Sequence, residues 1–270
     1  MRQFSIAILA AVLVAGLLPV GARADEVGQK AKGIVDAQAP AIVSIQVVLD
    51  LEAGGQTREQ RLRGHGVAVS DTGLIMTSIE TIKPNLNARG PRGQRLSVKI
   101  TPADIKIVFE KDEKEYDAFV VVRDTKRQIV FLQLKSFKPA DRKISFVDFS
   151  KSATPKVGDE YITVHRLAKG YDYAPLFSAG RIIGELTKPR KALLVSHAAP
   201  SGLPAFSLEG KLIGCHSRMR SGLEEGAARE AAGGQPIVLP AKDIDAVIKQ
   251  ALKTAAAGEP AAGGEEDEED

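Results

Sequence analysis

Cysteine is almost absent. Cys215 stands alone in 270 residues, which excludes an internal disulfide and leaves core burial to hold the fold. It lies in the apolar stretch "KLIGCHS", the setting of a buried structural thiol rather than a reactive one. Histidine is scarce too: His65, His165, His197 and His216 are the whole set. None of them has a paired ligand spacing, so no metal centre is expected, and no other cofactor is implied. After the first two dozen residues no run is long and apolar enough to span a bilayer.

The opening segment is the exception. Arg2 precedes the apolar run "FSIAILAAVLVAGLLPV", and "ARA" (Ala22 to Ala24) has the small-x-small form of a cleavage site. Residues 1–24 therefore read as a signal peptide, with a mature chain from Asp25 that is exported to the periplasm or secreted. The run is short for an uncleaved membrane anchor.

Charge is unevenly spread. The chain has 37 Lys and Arg against 34 Asp and Glu. Two of the basic residues, Arg2 and Arg23, lie in the leader, and seven of the acids lie after Thr254, where there is no Lys or Arg. The body from Asp25 to Thr254 thus carries 35 basic and 27 acidic residues, a net of +8. Residues 255–270, rich in Ala and Gly and ending in "EEDEED", read as a flexible acidic tail that screens a basic face or simply solubilises the chain.

Between these ends the pattern is that of short strands. Residues 25–40 place Val27, Ala31, Ile34 and Val35 on one helical face, and Pro40 stops that helix. Then come "AIVSIQVVL", "GVAVS" and "LIMTS" around the turn "SDTG", followed by "LSVKI", "DIKIVF", "YDAFVVV" and "IVFLQL". A second set comprises "EYITVHR", "GRIIGEL", "KALLVSH", "PAFSL", "KLIGCHS" and "QPIVLP". Many β-rich segments at even spacing, with few helices between them, indicate an all-β sandwich or barrel. "AKDIDAVIKQALKT" adds a C-terminal amphipathic helix with Ile244, Val247, Ile248 and Leu252 on one face. The turn-rich residues 137–159 read as the joint between two lobes, at about 41–140 and 155–240, within one domain over residues 25–254.

Two arginine-rich stretches stand out, "REQRLRGHG" with Arg58, Arg61 and Arg63, and "NARGPRGQR" with Arg89, Arg92 and Arg95. Both are expected on loops near the first lobe. Guanidinium groups bind phosphate and sulfate bidentately, so a polyanion is a candidate ligand, set against ordinary solvated loops. Neither stretch has aromatics to stack on bases, which argues against specific nucleic-acid recognition.

The stretches "APAIVSIQVV" and "GHGVAVSDTGLIMTSIETI", then "YDAFVVVRDTKRQIVFLQL", then "SHAAPSGLPAFSLEGKLIGCHS" and "PIVLPAKDIDAVIKQAL", in this order, resemble the trypsin-like serine proteases in their bacterial HtrA/DegP-type form. The resemblance runs to about Thr254. It implies two antiparallel six-stranded β-barrels with an active cleft between them, flanked by the N-terminal and C-terminal helices. It also implies where a catalytic triad should stand. The histidine position, closing a "T-N-x-H-V-[VI]" strand end, is Glu80 in "TSIETI". The aspartate position of "D-x-x-x-D-[LI]-A" is Gln128, and Asp124 is the earlier Asp of that stretch. The nucleophile position of "G-[ND]-S-G-G-P" is Ser201 in "APSGLP".

A serine hydroxyl needs an imidazole to take its proton, a carboxylate to orient that imidazole and N–H donors for the oxyanion. Glu80 is a weak proton acceptor for an alcohol at neutral pH. Gln128 has no charge to stabilise an imidazolium. The "HAAPS" approach looks shortened, and Pro200 has no N–H to give. No catalytic residue is therefore expected to function, and Ser201 reads as a turn residue. His197 and His216 are the candidates for a rescued Ser–His dyad.

The reading that follows is an exported, inactive trypsin-like protease homologue that holds a peptide, a partner protein or a polyanion without cutting it. The alternatives are an active serine endopeptidase using a rearranged dyad, and a structural envelope protein whose acidic tail is the interaction element. Glu80 is expected to be at least partly buried in the cleft, near Ser201 and the Gln128 amide. Oligomeric state is left open.

Overall fold

The computed structural model describes residues 22–84, 98–110, 112, 114–140, 142–219 and 234–258. Helix α1 (Ala22–Gln38) starts three residues before Asp25 and buries Ala31 and Ile34, with Val27 and Val35 half-buried on the same face. Pro40 then converts the chain to a 3₁₀ turn, Ala39–Ala41, which leads into the first strand.

Twelve antiparallel strands follow, in two barrels of six. The first contains β1 (Ile42–Ala53), β2 (Gln56–Ala68), β3 (Leu74–Ser78), β4 (Lys99–Phe109), β5 (Glu115–Asp124) and β6 (Ile129–Leu134), closed in the order β1-β2-β3-β6-β5-β4. The second contains β7 (Glu160–Arg166), β8 (Pro175–Leu186), β9 (Ala192–Val195), β10 (Pro204–Ser207), β11 (Leu212–Met219) and β12 (Gln235–Pro240). It closes as β7-β8-β9-β12-β11-β10, the same connectivity over again. This is the double barrel that the sequence resemblance implies.

Strand alternation sorts the apolar residues into three bodies. One fills the first barrel, with Val43, Ile45, Val47 and Leu49 of β1 meeting Ile75, Ile107, Phe109, Val130 and Leu132. A smaller one fills the second, with Tyr161, Ile182, Val195, Ile213 and Val238. The third lies between the barrels and under the helices, where Val67, Met76 and Phe131 from one barrel meet Ile162, Leu203, Phe206 and Cys215 from the other. Ala31 and Ile34 of α1 join this third body, as do Ile244 and Ile248 of α3 (Ala241–Ala256). The connection between barrels is stitched to both: the Val147 N–H donates to the Ala68 carbonyl, and the Ala153 N–H to that of Leu212. Arg166 acts as a buried staple at the same junction, donating to the carbonyls of Ile42, Tyr173 and Ala39 at 3.0, 3.0 and 2.6 Å.

Two local expectations are corrected. Lys99 and Ile100, the end of "LSVKI", and all of "DIKIVF" belong to one strand, β4. Pro102 sits opposite Leu49 at a register shift, where a missing N–H costs the ladder little. "REQRLRGHG" is not a loop but the body of β2, paired residue for residue with β1 from Gln56↔Ala53 to Val67↔Ile42. Its alternation places Arg58 with Gln60 and Leu62 on one face, and Arg61 and Arg63 on the other. The second arginine stretch, with Arg89, Arg92 and Arg95, lies outside the described residues. No helix among the described residues is long and apolar enough to cross a membrane.

Candidate functional site

The fold brings the three triad-equivalent positions to one place, the mouth between the barrels. Glu80 lies in the short helix α2 (Ile79–Ile82) at the end of β3. Ser78 caps that helix, its Oγ accepting from the Glu80 N–H at 3.2 Å. Gln128 closes the β5–β6 turn with φ +59°, and its carbonyl accepts from the Ile79 N–H at 3.1 Å. The Ser201 turn arrives from the second barrel. A Cβ on Gly202 would come within 2.6 Å of the Thr77 carbonyl carbon and 2.8 Å of the Ser78 nitrogen, so only glycine lets the serine turn approach the end of β3 this closely. Ser217 Oγ completes the seam by donating to the Arg127 carbonyl at 2.7 Å.

The turn itself explains the serine. The Leu203 N–H reaches the Pro200 carbonyl at 3.4 Å, and Gly202 has φ +87°. Pro200 to Leu203 is therefore a type II turn with Ser201 at its second position and the glycine that such a turn needs at its third. The Gly202 N–H donates to the His216 carbonyl and the His216 N–H to that of Leu203, both at 2.8 Å, which pins the turn to β11. Ser201 is buried, and among the described residues no hydrogen bond reaches its hydroxyl.

The partner positions hold no triad chemistry. Glu80 is exposed, against the expectation of partial burial: as the second residue of α2 it points outward, while Ile79 and Ile82 take the buried face. The Gln128 amide turns back on its own loop and donates to the Thr125 carbonyl at 2.6 Å.

The histidines are engaged elsewhere. His216 is buried inside the second barrel, its Nε2 2.6 Å from Thr163 Oγ1 and its ring 5.5 Å from that of Tyr161. Burial pushes its pKa down to about 3, so it is neutral and weakly basic at pH 7. The exposed His197 uses its backbone carbonyl to accept the Tyr161 hydroxyl at 2.8 Å. His65 lies on β2 with its pKa lowered by burial, an effect opposed by the hydrogen bond that its ring donates to the Arg166 backbone carbonyl. His165 is lowered by burial first and by His65 and His197 next, and its buried Nε2 has no hydrogen-bond partner among the described residues. Burial also holds the Cys215 thiol protonated, its pKa pushed up to about 12. Among the described residues, no group of three or more His, Cys, Asp or Glu is placed to hold a metal ion.

Sequence reasoning missed the cleft beside these residues. A cavity of about 140 Å³ opens between the β5–β6 turn (Thr125, Lys126, Gln128), the β8–β9 turn (Pro189, Arg190) and the end of β11 (Ser217 to Met219). Among the described residues that line it, the charged ones, Lys126, Arg190 and Arg218, are all cations. They come from three separate segments, so no single run of sequence signals them. The β10–β11 ladder ends at Pro204↔Cys215, and beyond it the serine turn takes over the pairing at His216. His216 directs its backbone groups to that side, and alternation gives Arg218 the same direction. Opposite Arg218 on the other side stands Pro236, which has no N–H to offer.

No protein of curated function matches the chain. The trypsin-like peptidase domain matches residues 64–215, more than half of the sequence, from the middle of β2 through the serine turn into β11. With two six-stranded antiparallel barrels that meet at the triad positions, the chain belongs to the trypsin-like peptidase family.

Proposed function

We propose that this protein is an exported, catalytically inactive trypsin-like protease homologue of the HtrA type that binds an extended peptide or protein segment without cleaving it. The observation that carries the reading is the serine turn. Ser201 occupies an ordinary position of a type II turn, with an exposed glutamate and a self-bonded glutamine where its base and orienting acid would be. Without a proton acceptor the hydroxyl is a poor nucleophile. Binding is supported by the recess between the β5–β6 turn, the β8–β9 turn and the end of β11, whose described lining brings Lys126, Arg190 and Arg218 together. Export is supported by the charge and hydropathy pattern of residues 1–24.

Polyanion binding through Arg58, Arg61 and Arg63 has less support, because β2 splits them between two faces and places Glu59 beside Arg61, opposite Asp50.

The test is a panel of fluorescein-labelled hexapeptides of varied charge, titrated by anisotropy and then analysed by mass spectrometry. The expected result is saturable binding of part of the panel with every peptide intact after prolonged incubation. Cleaved peptides would restore an enzyme, and failure of every peptide to bind would remove the binding role.

A further inference from the structure

The cationic cleft has a candidate occupant within the chain. We propose that the acidic run Glu265–Asp270 docks in the cleft formed by Lys126, Arg190 and Arg218 and thereby competes with external segments. This rests on reading the cleft as a segment-binding groove.

Charge complementarity is the first argument. Among the described residues the charged side chains that line the cleft are all cations, and neither Lys126 nor Arg190 has an ion-pair partner there. The neighbouring Arg127, by contrast, is held by Asp124 at 2.7 Å. The run "EEDEED" has six acids in six residues. Charges of one sign lining a recess attract the opposite sign more strongly than they would on an open face.

Reach is the second argument. The last turn of α3 packs at the far end of β6, where Leu252, Ala255, Ala256 and Gly258 share a cavity with Gln133, Leu134 and Phe137. Gln128, in the cleft, is the residue just before β6. The path from one to the other is therefore the length of β6, about 20 Å. From Gly258 the chain needs seven residues to reach Glu265, which extend over about 23 Å, and twelve to reach Asp270, about 40 Å. Apart from Glu259, the acids of this segment begin at about the distance at which the cleft lies.

Other basic ground is nearer or broader but differently arranged. Arg61 and Arg63 share their face of the β1–β2 ribbon with Glu59 and Asp50. Lys106 is surrounded by Asp104, Glu115 and Asp117.

The experiment uses the full chain with Ala262→Cys carrying a nitroxide. Cys215 is fully buried and stays unlabelled under native conditions. The expected result is paramagnetic broadening of the amides of Lys126, Gln128, Arg218 and Met219. It should disappear in Lys126→Glu/Arg190→Glu, in a full-length variant with Glu265 to Asp270 changed to Gln and Asn, and at high salt. In a second arm, hexaglutamate should bind the neutral-tail variant about tenfold more tightly than the unaltered chain, since an internal competitor has gone.

Broadening confined to another surface, absent broadening, or equal hexaglutamate affinity for the two chains would overturn the proposal. If neutral peptides bind the cleft and hexaglutamate does not, the inference fails while the binding function stands. If no peptide of any charge binds, the function fails and the inference with it.

Discussion

The two barrels share one strand order but not one interior. The first is filled by aliphatic and Phe side chains from every strand, with no buried ionisable group among them. The second encloses a smaller apolar set, with polar groups on its inward positions: the Tyr161 hydroxyl, Thr163, His216, and the Ser178 Oγ and His165 Nε2, both buried with no partner among the described residues. A closed barrel has no edges to aggregate, so connectivity alone does not decide which barrel is robust; the filling does. The first barrel gains from every inward side chain. The second has to satisfy polar groups in a place where two of them are unsatisfied, each a cost of about 1–3 kcal/mol.

The largest break in this comparison should come from Gly214. A Cβ there would lie 1.9 Å from the Leu239 carbonyl oxygen, across the β11–β12 pairing. Gly214→Ala has to push two strands of the second barrel apart. We expect a loss of about 4 kcal/mol or more, read as a fall in the denaturation midpoint or as failure to fold.

Next is the junction. Arg166→Met removes three charge-assisted hydrogen bonds and leaves the carbonyls of Ile42, Ala39 and Tyr173 without that donor. The expected cost is about 3 kcal/mol in urea unfolding, with the two barrels no longer melting as one unit. A single unchanged transition would mean that the apolar layer between the barrels, not Arg166, couples them.

Acid should separate the barrels more gently. His216 has a folded-state pKa of about 3 and an unfolded value near 6.5. Below about pH 6.5 the unfolded chain takes up a proton that the folded chain refuses. Stability from this group is thus complete above that pH and declines as the pH falls towards 3. At pH 4 the loss is roughly 3 kcal/mol. His65 and His165, also lowered by burial, act in the same direction. Amide exchange at pH 4 should accelerate in β7, β10 and β11 before it does in β1 and β4. His216→Gln should flatten the dependence.

The smallest effect concerns Glu80. It is exposed, so Glu80→Ala should change unfolding free energy by less than about 0.5 kcal/mol. A larger loss would show that its carboxylate has a structural task at the mouth of the cleft.

The architecture was legible in the sequence because it depends on period and spacing. Alternation marked most strands, the 3.6-residue spacing marked α1 and α3, and the order of short motifs carried the family resemblance. What escaped depends on contacts between distant segments. The three arginines of "REQRLRGHG" point to charge and mask the alternation of Arg58, Gln60 and Leu62 along β2. Pro102 lies between the two stretches read as separate strands, and only its pairing with Leu49 at a register shift makes them one. His216 could be read as a spare base only because Thr163, its partner, lies 53 positions away. Glu80 and Gln128, read as the histidine and aspartate positions, do lie at the mouth between the barrels, although the exposure of Glu80 was not legible. Nor was the cationic cleft, since Lys126, Arg190 and Arg218 meet only when both barrels have closed.

The central claim is that the fold keeps the serine where a protease would have it while nothing there activates it. The most direct test is a fluorophosphonate probe, which reports an activated serine without reference to substrate. Mass spectrometry of the treated protein should find Ser201 unmodified at neutral pH, with the chain folded. Stoichiometric labelling of Ser201, abolished by His197→Ala or His216→Ala, would contradict the account and make this protein an enzyme.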